Sequence, residues 1–219
     1  MSNYNPSKLS KVKRGSKRAS YDKATVFNIL DSHFICHVPY VFDETPITIP
    51  MAYARSGETI YLHGATGNRM LQSIADLKKM SLTITHLDGL VLARSAFHHS
   101  VNYRSVVVFG TPRIVTEEEE KRNAFEMLLE QMAKGRSKEV RPTNEKELKI
   151  TKVLALDITE ASAKVRTGPP VDDEDDYNLE LWAGVVPIKH WYEKEVADPN
   201  LVFDLAIPPS VKKLTKNDQ

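Results

Sequence analysis

One segment of the chain combines glycines with a nearby arginine in the way that anion-binding loops do. Residues 61–71 read Tyr-Leu-His-Gly-Ala-Thr-Gly-Asn-Arg-Met-Leu, so a strand ends at His63, and a helix with Arg69 in its first turn follows the loop. Free backbone N–H groups at a helix start and a forked guanidinium together suit a phosphate. The spacing lacks the Lys-Ser/Thr pair of a P-loop. On this spacing alone, a phosphate-binding loop and a plain turn remain equally open.

A second polar cluster joins two apolar strands at residues 93–105, Ala-Arg-Ser-Ala-Phe-His-His-Ser-Val-Asn-Tyr-Arg-Ser. Adjacent histidines on a strand point to opposite faces, and no cysteine or acid stands at ligand spacing from them, which argues against a metal site. No Gly-x-Ser-x-Gly elbow supports a serine nucleophile. The single cysteine, Cys36, lies in an apolar run and is interpreted as a buried, inert thiol. The acidic run at residues 172–176 is interpreted as a solvated loop.

The elements that must position these groups are mostly strands. Short runs rich in β-branched and aromatic residues predict an antiparallel meander, with Asp88-Gly89 as a hairpin signal and Gly110 as a possible bulge. Helical spacing of apolar residues predicts three helices. The predicted strands are 34–38, 47–54, 59–63, 81–86, 90–97, 103–115, 154–158 and 162–166, and the predicted helices are 22–30, 68–77 and 117–132. Residues 179–188 are expected to close the core, with Trp182 beside Gly184.

Composition sets the domain organisation and excludes several classes of protein. The 219 residues carry 30 Lys and Arg against 29 Asp and Glu, so the net charge of +1 gives no whole-protein field for nucleic acid or membrane. Residues 1–18 hold six basic residues and no acid, which predicts a flexible basic arm. We expect one domain at 19–207 and a frayed tail at 208–219. Without a long apolar stretch or signal peptide, the sequence predicts a soluble cytoplasmic protein.

Several ordered blocks at compatible spacings, covering about residues 18–190, resemble the FMN-binding family related to pyridoxamine 5'-phosphate oxidase, on its nitroimidazole-resistance branch. The blocks are residues 61–69, 93–95, 102–110, 163–170 and 181–187. The resemblance implies a mainly β fold, an antiparallel split β-barrel with flanking helices, that forms a homodimer and binds FMN between its subunits. The segment 185–190 lacks the arginine with which pyridoxamine phosphate oxidases grip their substrate, which argues against that reaction.

The resemblance also implies which residues meet the cofactor. The backbone at residues 49–51 would face the flavin ring, the loop after the strand would hold the phosphate, and a late tryptophan from the partner subunit would cover one edge. The implied cofactor-binding residues are Ile49, Pro50, Met51, His63, Asn68, Arg69, Arg104, Ser105 and Trp182. The candidate catalytic residues are His63 beside the ring and His98 or Tyr103 as a proton source.

On this basis we expect an FMN-dependent oxidoreductase acting on a small electron-poor substrate, such as a nitro compound or a quinone. A non-catalytic flavin carrier or sensor on the same fold would have the same sequence features. Heme or a deazaflavin is an alternative planar cofactor, because related split barrels use both. A third hypothesis is that the basic arm binds RNA or another partner.

Overall fold

The computed structural model describes residues 2–215, and strands account for most of the regular structure. The strands are β1 (Ala19–Ser20), β2 (Ile35–Phe42), β3 (Thr45–Ser56), β4 (Thr59–Ala65), β5 (Met80–Leu92), β6 (Ser100–Ile114), β7 (Thr151–Arg166) and β8 (Gly184–Pro187). The helices are α1 (Lys23–Asp31), α2 (Arg69–Ala75), α3 (Glu118–Met132), α4 (Glu145–Ile150) and α5 (Pro209–Thr215).

Six of the strands close into an antiparallel barrel. The order β7-β4-β3-β2-β5-β6 returns to its start because β6 also pairs with β7 along most of its length. Outside this order, the short strand β1 pairs with β7, and β8 pairs with β5, both antiparallel. Closure leaves the barrel without free edges, which suits a small sheet that must bury one face. The predicted mainly β, antiparallel barrel is confirmed.

The barrel core follows from the alternation of apolar side chains along each strand. On β5, Met80, Leu82 and Ile84 point inward and are nearly or fully buried, and His86 continues the same face to the barrel mouth. Outside the barrel, α3 packs over β3 and β4 through a second cluster that includes Tyr61, Ala124 and Val153, with Phe125 beside it. The helix α3 therefore separates the outer face of β4 from solvent.

Two strand predictions differ from the structure for one reason, long-range pairing. Asp88-Gly89 does not turn a hairpin: β5 runs through it with a register shift, because the Asp88 carboxylate binds Arg104 on β6 and its carbonyl accepts the Ile188 N–H. Likewise 154–158 and 162–166 are one strand, β7. The predicted irregularity at Gly110 is confirmed; a Cβ there would lie 2.2 Å from the Asp157 carbonyl oxygen, so only glycine permits this crossing.

Both chain ends make contacts that their polar composition did not indicate. Tyr4 and Ser10 are buried, and their hydroxyl groups donate hydrogen bonds to Glu58 at 3.1 Å and to Glu160 at 2.8 Å. At the other end, α5 places Ser210 against Glu139, with the Ser210 N–H donating at 3.0 Å. Residues 1 and 216–219 lie outside the described chain. Between residues 2 and 215, no helix is long and apolar enough to cross a membrane.

Residues 188–208, the C-terminal strap, run between β8 and α5 without regular structure. Both ends are fixed, by the Ile188 N–H to Asp88 and by Ser210 to Glu139. In between, large apolar side chains are exposed: Trp191 by 64%, Val196 by 94%, Val202 by 88% and Phe203 by 74%. Trp182, just before β8, is also 69% exposed, so the expectation that it helps to close the core is wrong. The strap carries an apolar surface that its own chain does not cover.

Candidate functional site

The predicted anion loop forms where β4 ends and α2 begins. The Thr66 N–H donates to the Ile150 carbonyl at 3.0 Å, and the Asn68 N–H donates to Ala65 at 2.9 Å, so the loop is held from both sides. Asn68 caps α2, with its side-chain oxygen accepting the Leu71 N–H at 3.0 Å. Asn68 therefore shapes the loop through its oxygen and keeps only its amide NH2 for a ligand.

Arg69 is oriented by aromatic side chains of β2 rather than by an acid. Its guanidinium lies 3.9 Å from the centre of the Phe42 ring, and one terminal nitrogen donates to the Tyr40 hydroxyl at 3.3 Å. Stacking on a ring leaves most N–H groups of an arginine unused. No carboxylate pairs with Arg69 in the described chain. A positive charge with open donors is what an anionic ligand requires.

Gly64 allows α2 to pack closely on β4. A Cβ at this position would lie 3.0 Å from Leu71 Cδ1 and 3.2 Å from Asn68 Nδ2. A larger residue would require Leu71 and the Asn68 cap to shift by a few tenths of an ångström. The glycine therefore fits the close packing of α2 on β4.

His63 lies next to this loop, on the outer face of β4, and its Nδ1 atom is buried with no hydrogen-bond partner. The ring meets Phe125 of α3 edge-on, with centroids 5.9 Å apart. Burial lowers the pKa of His63, so its imidazole is neutral at pH 7. A neutral ring with an unsatisfied nitrogen is a hydrogen-bonding group available to a ligand.

Strand β3 presents Pro50 on the outer face, as the resemblance requires for a ring lying against the strand. Ile49 and Met51 alternate with it and pack against the barrel core, so their contribution to this face is backbone only. His37 of β2 is directly opposite Pro50 and is exposed. Pro50, His37 and His63 thus share the outer face of one region of the sheet.

Most polar groups of the second cluster have partners within the chain, although Arg94 Nε is buried without one. Arg104 forms a two-bond pair with Asp88 at 2.8 and 2.9 Å, which lowers the pKa of that carboxyl group. His98 Nδ1 lies 2.7 Å from the Ser95 hydroxyl, and the Ser105 hydroxyl donates to the Lys164 carbonyl at 3.4 Å. Tyr103 is half-buried on β6. Trp182 lies against the Gly184 backbone and shows its other face to solvent.

Within one chain, the anion loop beside His63 and the second polar cluster around Tyr103 lie far apart. His63 pairs with Val153 near the start of β7, whereas Tyr103 pairs with Arg166 at its end. At about 3.3 Å per residue, roughly 40 Å of strand separates these positions. His63, Asn68 and Arg69 are therefore brought together, and His98, Tyr103 and Trp182 are not brought to them.

The acidic loop is anchored by a buried ion pair. Asp172 accepts from the backbone N–H of Arg94 at 3.0 Å and from its guanidinium at 3.1 Å, and its side chain has no solvent exposure. The ligand atoms of His98, Asp172 and Asp176 lie within 4.8 Å of one another. Because Arg94 already neutralises Asp172, this cluster is explained as a fastening of the loop.

A cavity of about 930 Å³ opens at the barrel mouth, between α3 and the start of the strap. This volume is within the range of cofactor pockets, about 300–1,000 Å³. Its walls include three histidines, two methionines and several aromatic residues: His33, His86, His190, Met127, Met132, Phe34, Trp191 and Tyr192. Sequence reasoning missed it, because these residues are distributed over more than 150 positions and share no spacing.

Two of the cavity histidines have their ring nitrogens engaged. His33 Nδ1 accepts the N–H groups of Phe34 and Ile35 at 2.9 and 2.8 Å. His86 Nε2 lies 3.2 Å from both the Ile29 carbonyl and the Ser32 hydroxyl, and its ring is 5.1 Å from that of His33. Burial lowers the pKa of both residues. Both imidazoles are therefore neutral near pH 7.

Comparison with known proteins identifies similar chains. The sequence profile of pyridoxamine 5'-phosphate oxidase matches residues 22–165. The flavocytochrome Anf3 from Azotobacter vinelandii is 36% identical, with 96% of this chain and 98% of that chain covered at a TM-score of 0.91. The FAD and heme binding protein from Mycobacterium smegmatis is 33% identical, with 90% and 97% covered at a TM-score of 0.85.

A third structure is similar in fold alone. It is described as a 5-nitroimidazole antibiotic resistance protein from Bacteroides thetaiotaomicron, and it is 19% identical over 67% of this chain and 86% of that chain, with a TM-score of 0.57. No curated protein matches the chain. The barrel is thus the split barrel that the sequence blocks imply.

Proposed function

The chain belongs to the pyridoxamine 5'-phosphate oxidase family, and from that premise we propose that it is a redox protein that binds a flavin and a heme. The observations that carry the proposal are the open guanidinium of Arg69 at the loop between β4 and α2 and a separate histidine-lined cavity. Two relatives above 30% identity, a flavocytochrome and an FAD and heme binding protein, support the pairing of these cofactors.

For the flavin, the described residues fit. Arg69 offers unpaired donors to a phosphate, Pro50 gives a flat strand surface, and His63 Nδ1 supplies a hydrogen-bonding atom without a partner. FMN, which the family resemblance implies, and FAD, which the Mycobacterium relative is named for, share this phosphate and ring chemistry. The identity and coverage of that relative favour FAD.

For the heme, the cavity offers imidazole and thioether groups, the two side-chain types that most often hold heme iron in cytochromes. Covalent attachment of the c type uses the sequence Cys-x-x-Cys-His. This chain has one cysteine, Cys36, which is buried in the core, where burial raises the pKa of its thiol to about 12. The heme is therefore held without covalent bonds.

We also propose a homodimer. His63 and Arg69 lie roughly 40 Å of strand away from Tyr103 and the neighbouring polar cluster, so one site can use both groups only if they come from two chains. The C-terminal strap offers a matching interface, because its exposed apolar side chains are characteristic of surfaces that a partner covers. In this arrangement Trp182, His98 and Tyr103 reach the partner's flavin.

When bound, a flavin and a heme supply one- and two-electron chemistry that amino-acid side chains lack. The chain positions the ring through Pro50, grips phosphate through Arg69 and presents the neutral His63 as a group that can exchange a proton at Nδ1. We propose a small electron-poor acceptor, such as a nitro compound or a quinone, as the substrate class.

Purified full-length protein tests these proposals. We expect flavin and heme absorption bands, a flavin identified by mass spectrometry of the released cofactor, and a dimeric mass by light scattering. NADH or NADPH oxidation across a panel of nitroaromatics and quinones tests the catalytic part. A protein with neither band contradicts the cofactor assignment, and a loaded protein without turnover supports a carrier or sensor instead.

A further inference from the structure

Three histidines line the cavity at the barrel mouth, and their hydrogen bonds distinguish them. Iron is bound by an unprotonated imidazole nitrogen, so the binding nitrogen must be free of other hydrogen bonds and within reach of the cavity. A histidine whose outward nitrogen must keep its proton is a poor ligand. The hydrogen-bond pattern therefore identifies which of the three can bind iron.

His33 is unsuited. Its Nδ1 accepts two backbone N–H groups, so the proton of the neutral ring is on Nε2, the nitrogen that would have to bind iron. His86 is unsuited for a different reason. Its Nε2 donates to the Ile29 carbonyl, and the residue is only 8% exposed, with its ring 5.1 Å from that of His33, which leaves only Nδ1, the nitrogen crowded by the ring's own Cβ.

His190 differs from both. It lies at the start of the C-terminal strap, lines the cavity and is exposed, and neither ring nitrogen has a hydrogen-bond partner within residues 2–215. Its neighbours Trp191 and Tyr192 also line the cavity, as does Met127 of α3. Lys134, also at the wall, forms no ion pair in the described chain and can meet an acidic group of the cofactor.

We infer that His190 is the iron ligand of the heme and that the strap which carries it forms one wall of the heme site. This inference rests on the proposed heme binding. It makes the strap part of the cofactor site as well as an apolar surface, and it assigns His33 and His86 to shaping the cavity.

The test compares wild-type full-length protein, His190→Ala and two cavity variants, His33→Gln and His86→Gln, after reconstitution with hemin. His99→Ala, which removes an exposed histidine directly before β6, is the matched control. Heme content, the Soret spectrum and ferric EPR are measured together with flavin content. We expect His190→Ala to weaken heme binding by roughly a hundredfold or more, since losing an outer partner alone costs about 10–100-fold. Added imidazole should restore the wild-type spectrum.

The outcomes distinguish the assignment of His190 as the ligand from heme binding itself. Flavin content should be unchanged in all variants, and His99→Ala should retain the wild-type Soret and EPR spectra. A His190→Ala protein that also retains both spectra overturns the ligand assignment while leaving heme binding intact. A wild-type protein that holds flavin but no heme overturns the heme part of the proposed function, and the ligand assignment with it.

Discussion

The polar residues at the two ends of the barrel differ in how fully the chain satisfies them. At the β6–β7 end, Arg104 is paired with Asp88 and Arg94 with Asp172, and each pair has at least two hydrogen bonds, although Arg94 Nε is buried without a partner. At the β4–α2 end, Arg69 stacks on a ring without a carboxylate, and His63 Nδ1 is buried without a partner. The charges are therefore paired at the first end, and the charge of Arg69 is open to a ligand at the second.

The largest effect should come from breaking the satisfied end. Arg94→Ala leaves the Asp172 carboxylate buried without its guanidinium, and we expect the melting temperature to fall by about 5 °C or more. Arg141→Ala, at an exposed pair with Glu147, should change it little. Flavin affinity of the folded protein should be unchanged in both. Lost flavin binding with unchanged melting would place Arg94 among the ligand-binding residues.

The next largest effect should come from a substitution at the β4–α2 end, and it should appear in flavin affinity. Arg69→Ala removes a charged donor from the phosphate, which is worth about 1.5–3 kcal/mol, so flavin affinity should fall by roughly 10- to 150-fold. Thermal stability should change little. Arg113→Ala removes an arginine that is paired with Glu120 and serves as the control in the same fluorescence titration. Equal flavin affinity in both variants would reject the loop as the phosphate site.

A smaller effect should appear as pH dependence. Burial lowers the folded-state pKa of His33, His63 and His86 below the ordinary value of 6.5, so the unfolded chain takes up protons that the folded chain does not. Stability is full above pH 6.5 and should fall as the pH drops below it. Melting temperatures from pH 8 to pH 5 test this. His63→Gln should flatten the curve, and a curve of unchanged slope contradicts the neutral, buried ring.

The smallest effect on stability should come from Trp182. Because its ring is 69% exposed and lies only on Gly184, Trp182→Ala should cost less than about 1 kcal/mol of unfolding free energy. The bound flavin should nevertheless change its fluorescence, since the proposed dimer places this ring at the partner's cofactor. Val171→Ala, at another exposed apolar residue, is the control. An unaltered flavin spectrum would separate Trp182 from the site.

Local chemistry in the sequence predicted much of the fold. The helix after the anion loop, the Gly110 irregularity and the strand at residues 81–86 depend on neighbouring residues, and each prediction is confirmed. The hairpin predicted at Asp88-Gly89 is wrong because the conformation there depends on Arg104 and Ile188, which are distant in sequence. The prediction of a flexible arm missed the burial of Tyr4 for the same reason. The hydrogen-bond partner of Tyr4, Glu58, is 54 positions away.

The candidate site, too, could be predicted from the sequence only where its residues are neighbours. The loop that holds Arg69 is continuous in sequence and could be found there. The cavity is not, because it joins His33, His86 and His190 from three distant segments, and no local pattern marks a site for the proposed heme. The pairing state of each arginine also required the structure, since Arg69 and Arg104 look alike in the sequence and have opposite surroundings.

The hydrogen bond from Thr66 to Ile150 has a consequence for the order of folding. It joins the anion loop to the last residue of α4, directly before β7, and neighbouring pairs such as Gly64 with Lys152 connect residues almost ninety positions apart. Such non-local pairing forms slowly. The loop therefore reaches its final shape only when β7 closes the barrel, so cofactor uptake reports that a newly made chain has finished folding.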